Sequence, residues 1–110
     1  MSGSSRSTFD DSPSYADACD QLTFTAQLAS PKEDIVVQLK VDDRLDVVFG
    51  EQHGQAVVHA LWNGQVAGGI AALQVQRLRQ CLTEGTMYSA RVLSINNGQV
   101  RVSVFPVRIS

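Results

Sequence analysis

The dipeptide Asn63-Gly64 lies between two β-like runs, "AVVHALW" (56–62) and "QVAGGI" (65–70). A two-residue turn that reverses a right-twisted strand needs positive φ at both central positions, and Asn-Gly adopts that conformation at least cost. The two runs are therefore predicted to pair antiparallel. Gly68 and Gly69 close the return strand, where they permit a bulge or the close approach of another backbone. A helix signal follows at once. In "AALQVQRLRQCL" (71–82), Ala71, Val75, Leu78 and Leu82 recur on one helical face, while Gln76, Arg79, Gln80 and Thr83 point away. Gly85 is the stop.

The flanking sequence reads as further β. "QLTFTAQL" (21–28) alternates Leu22, Phe24, Ala26 and Leu28, the period of a half-buried strand. "DIVVQLKV" (34–41) is either a strand or a short segment crossing a barrel end. "RLDVVFG" (44–50) places Leu45, Val47 and Phe49 on one face, and "EQHGQ" turns around Gly54. The chain closes with "TMYSARVLSI" (86–95) and "QVRVSVFPV" (99–107) joined by Asn-Asn-Gly. A two-residue loop at Asn97-Gly98 would set Leu93 against Val102. A three-residue bulged loop over 96–98 would set Val92 against Val102 and turn Arg91 outward opposite Ser103. The second is preferred, because it buries Tyr88, Ala90 and Val92 together, and a one-residue slip reverses every side chain.

A small antiparallel sheet with one apolar face must curl to cover it. The expected fold is mainly β: a small OB-like barrel of five to six mostly antiparallel strands, with one α-helix before the last hairpin. Residues 1–18, rich in Ser and Asp and without apolar period, read as a disordered or partner-ordered tail, and 19–110 as a single domain. Phe9 and Tyr15 are the tail's large apolar groups, spaced like anchors of a short linear motif.

No run reaches the length of a membrane span and the first twenty residues lack the apolar stretch of a secretory signal, so a cytoplasmic location without membrane contact is expected. Cys19 and Cys81 lack metal-ligand spacing, and two distant cysteines give no ground for a disulfide. Free thiols in a reducing compartment are the default, with Cys81 a small core hydrophobe.

The net charge is −2, but it is unevenly distributed. Residues 1–51 carry ten acids and four bases; residues 52–110 carry Arg77, Arg79, Arg91, Arg101 and Arg108 against Glu84 alone. Arginine offers the planar, bidentate recognition of phosphate or carboxylate that lysine does not. Catalytic motifs are missing: no HExxH, GxSxG, phosphate loop or CxxC occurs. His53 and His59 stand six apart with no third ligand type placed beside them, so neither metal nor cofactor is expected. The chain is expected not to be an enzyme. Trp62 and Tyr88 are candidate stacking platforms, and Arg77, Arg79, Arg91 and Arg101 candidate contacts to nucleic acid or another anionic partner.

Three stretches resemble the HIRAN domain family, OB-like barrels found on helicase-related proteins and alone in bacteria and phages. They are "LKVDDRLDVV", "QAVVHALWNGQVAGGI" and "LQVQRLRQCLTEGTMYSARV", within residues 39–104. The resemblance implies the barrel and DNA-end binding. The family's Asn-Pro-Tyr-Asp segment is replaced here by "GEQHGQAV", where Ala56 alone matches, so the family's tyrosine stacking transfers to no residue. Two functions follow. The first is a non-catalytic interaction module, an accessory, adaptor or inhibitor-type subunit that binds a protein partner. The alternative is a HIRAN-like domain binding single-stranded nucleic acid or DNA ends.

Overall fold

The computed structural model describes residues 18–107, so the tail with Phe9 and Tyr15, and Arg108, lie outside the described residues. Six strands are present: β1 (Phe24–Ala29), β2 (Arg44–Gln52), β3 (Gln55–Trp62), β4 (Gln65–Ile70), β5 (Tyr88–Asn96) and β6 (Gln99–Pro106). Two helices join them, α1 (Glu33–Val36) and α2 (Val75–Thr83), and a single 3-10 turn at Cys19–Gln21 leads into β1. Every pairing is antiparallel, and the sheet closes as a ring in the order β1-β4-β3-β2-β5-β6. The expected small mainly-β barrel is what the chain forms.

Three hairpins share one turn chemistry. His53-Gly54, Asn63-Gly64 and Asn97-Gly98 all hold both central residues at positive φ, between 51° and 81°, the geometry that follows strand twist. The last hairpin combines the two registers considered above. Its loop is the two-residue Asn97-Gly98, with Asn96 opposite Gln99, yet Val92 faces Val102 and Arg91 faces Ser103. A bulge at Leu93, between Val92 and Ser94, absorbs the extra residue.

A second bulge answers the glycine pair of β4. Ala60 faces Gly68 while Leu61 faces Val66, so Ala67 is the inserted residue, and both Ala67 and Gly68 are buried. A Cβ on Gly68 would stand 3.1 Å from the Ala29 carbonyl oxygen and from the Leu28 Cβ. This is where the end of β1 meets β4, at Leu28 opposite Ile70 and Ala29 opposite Gly69. The barrel closes on that contact.

The core is largely aliphatic, with Leu45, Val58, Val92, Val100, Val102 and Val104 among its best-buried side chains. Residues 34–41 resolve as the short segment rather than a strand: α1 tucks Ile35 and Val36, and Leu39 just after it, under the end where β1 finishes. The α1 end is tied on by the Lys32 N–H, which donates to the Ala67 carbonyl at 2.8 Å. At the opposite end α2 inserts Leu78 and Cys81, both fully buried. The helix starts later than the apolar period suggested, at Val75, and leaves Ala71 exposed.

The cysteines correct the expectation of free thiols. Cys19 and Cys81 form a disulfide with their Cα atoms 5.5 Å apart. They are 62 positions apart in sequence, but the approach to β1 and the helix before β5 meet at the same barrel end. Cys81 is indeed part of the core, but as half of this crosslink. Among the described residues no helix is long and apolar enough to cross a membrane.

Candidate interaction surface

Pairing between β2 and β5 runs only from Arg44–Arg91 to Val47–Tyr88. β5 begins at Tyr88, so it has nothing to offer the second half of β2, which continues to Gln52 and pairs with β3 alone. Backbone groups on an antiparallel strand point alternately to its two sides. Those of Val48–Gln52 directed away from β3 therefore form an open edge, and among the described residues no other backbone pairs with it.

Along this edge lies a groove whose far wall is α2. Leu45 and Val47, on the inner face of β2, are buried. Phe49 continues the same face past the closed part of the barrel and is 43% exposed. One stretch of the groove is lined by Phe49 and Ala56 against Gln76, Arg77, Arg79, Gln80 and Thr83. The other, a cleft of about 520 Å³, is mostly apolar: Val47, Val48 and Phe49 face Leu82, Met87, Tyr88 and Val107, with Asp46, Thr86 and Ser89 as its polar members. Met87 is 55% exposed, so the groove presents two large apolar side chains to solvent. Residues on α2 are fixed by local bonds. Arg77 donates to the Gln80 side chain at 2.9 Å, and the Thr83 hydroxyl donates to the Arg79 carbonyl.

Tyr88 is not a stacking platform. It is 3% exposed, and its hydroxyl donates to the Cys19 carbonyl beneath the disulfide. Burial pushes its phenol above the ordinary value; Arg77 opposes that shift and Asp20 reinforces it. Trp62 stands beside the Asn63-Gly64 turn, half-buried against the core.

The four arginines singled out by sequence do not share a surface. Arg77 and Arg79 belong to the groove, whereas Arg91 and Arg101 lie on the outer face of β5 and β6. There they are joined by Arg44, which faces Arg91 across the β2–β5 ladder and stacks on Phe105 with its guanidinium carbon 5.1 Å from the ring centroid. Like charges opposite one another in a ladder repel, and Arg44 and Arg91 together form a basic patch next to Asp46 on the same face of β2.

Sequence reasoning missed Phe49, Met87 and Arg44. Phe49 carried the pattern of a core residue, and its exposure follows from where β5 starts, which is a nonlocal fact. His59 lies on the outer face, as a rim residue: it is half-buried with its imidazole against Gly50, where an added Cβ would fall 2.1 Å from Nδ1. Among the described residues no three His, Cys, Asp or Glu side chains gather into a possible metal site.

The chain matches no protein-family model, no curated protein sequence and no solved structure.

Proposed function

We propose that the protein is a non-catalytic interaction module that captures an extended segment of a protein partner on the free edge of β2. The observation that carries this is the conjunction of an unpaired strand edge at Val48–Gln52 with an apolar cleft beside it. Strand addition uses these two elements together: main-chain bonds supply affinity and side-chain pockets supply selectivity. Phe49 and Met87 would receive alternate apolar side chains of the guest, and Arg77 and Arg79 would favour acidic ones. An open strand edge is otherwise a hazard that folded proteins cover or charge.

The test is co-purification of the tagged protein from its host, with and without nuclease, in parallel with Phe49→Glu. A protein that survives nuclease treatment and is lost with Phe49→Glu supports the reading. Capture that is equal for both forms removes the groove from it.

The nucleic-acid alternative draws on a different observation, the patch of Arg44, Arg91 and Arg101. Phosphate contacts of this kind would weaken with salt, with a slope of about −0.7 per contact on a single strand. Loss of the partner on nuclease treatment, together with sensitivity to Arg91→Glu rather than Phe49→Glu, would favour it.

A further inference from the structure

The chain itself carries a segment with the chemistry of the groove, and we infer that residues 9–15 dock along β2 in cis as a self-supplied strand. This inference rests on the strand-addition reading above and names an occupant for the same site. "FDDSPSY" holds Phe9 and Tyr15 six apart, on one face of an extended chain, with Asp10 and Asp11 between them. Pro13 cannot donate to a ladder. It shares the parity of Phe9 and Tyr15, so pairing through residues 10, 12 and 14 leaves it on the far side, where no donor is needed.

Where the described chain begins also fits. Cys19 is fastened to Cys81 of α2, which places the start of the described chain beside the helix that forms the basic wall of the groove. Four residues from Cys19 back to Tyr15 reach about 14 Å, and ten back to Phe9 about 35 Å. The free edge, five residues long, spans about 16 Å. The tail is therefore long enough to cross the exposed face of α2 and run along β2. Its acids, Asp10, Asp11 and Asp17, meet Arg77 and Arg79 on that route. Glu51 and Asp46 lie on β2 itself, so charge favours the acids on the helix side. Docking in cis covers Phe49 and Met87 until a partner displaces the segment, which makes the tail a competitor built into the module.

Residue-resolved amide exchange on the full chain tests this, comparing the wild type with Phe9→Ser/Tyr15→Ser. Both substitutions lie outside the described residues, and β5 and β6 amides serve as internal controls of the fold. A segment docked nine-tenths of the time slows exchange about tenfold, so edge amides within 48–52 should exchange about tenfold faster in the variant while the controls stay unchanged. If those amides exchange fast in both proteins, the cis-docking inference is wrong and the groove remains open for another partner. If they are equally slow in both, the edge is not free and the strand-addition reading falls too. Protection that grows with protein concentration would assign the edge to a second copy and overturn docking in cis.

Discussion

Replacing Cys19 by Ser separates the contribution of the crosslink from that of the core. Cys19 is half-buried and Cys81 fully buried, so Cys19→Ser opens no cavity and leaves Cys81 in place as a small apolar thiol. The disulfide joins positions 62 apart, enclosing most of the barrel. Loop-closure entropy for a ring of that size corresponds to roughly 4 kcal/mol of stability, acting through the unfolded chain. At four to eight degrees per kcal/mol for a domain this small, the melting temperature should fall by roughly 15 to 30 °C. Urea titration adds an independent check: the uncrosslinked unfolded chain exposes more surface, so the m-value should rise as well as the midpoint fall. Reductant should shift the wild type towards the variant and leave the variant unmoved. Thiol alkylation of the native, unreduced protein should find no reactive cysteine. A Cys19→Ser protein that melts within a few degrees of the oxidised wild type, with an unchanged m-value, would show that the start of β1 is not held through α2 and that the reasoning about this end of the barrel is mistaken.

Leu78→Asp should abolish cooperative unfolding by circular dichroism, because an unpaired carboxylate would replace a fully buried side chain; Val75→Asp, at a half-buried position in the first turn, should fold with reduced stability. Gly50→Ala should cost about 1–3 kcal/mol in urea unfolding as the new methyl drives His59 off the strand, and most of that loss should vanish in a His59→Ala background. The Tyr88 phenol is raised by burial, so its folded pKa lies above the unfolded value of about 10. Stability should be independent of this group below that value and decline as pH rises through it, since the unfolded chain loses its proton first; phenolate absorbance in Tyr15→Phe should accordingly lag behind that of the denatured protein.

Local chemistry made the hairpins legible. Asn63-Gly64 announced its turn, and the alternation of Leu22, Phe24, Ala26 and Leu28, and of Leu45 and Val47, marked strand faces without reference to anything distant. The register of the last hairpin was legible only in part. Burying Tyr88, Ala90 and Val92 together selected the correct partner for Val92, but the sequence between them did not reveal whether the odd residue sits in the loop or at Leu93. Both arrangements bury the same side chains. The disulfide was illegible for a different reason: bringing residue 19 to residue 81 requires the closed barrel, and no local pattern encodes that closure.

The site was the least legible element, because it arises from an omission. Phe49 continues the apolar alternation of Leu45 and Val47 on the same face of β2 before Glu51 ends it. What distinguishes the two halves is the point at which β5 starts. The Thr86 N–H bonds the Cys81 carbonyl and keeps Thr86 in the turn that closes α2, whereas the Met87 carbonyl already continues the β5–β6 register by accepting from the Val107 N–H. The turn after α2 thus sets how early the chain can meet β2, and pairing with β5 ends at Val47, which leaves the rest of that edge open. The helix that completes the core at Leu78 and Cys81 thus also withholds the strand that would have covered Phe49. The same local architecture closes one end of the barrel and creates the free edge on which the proposed function rests.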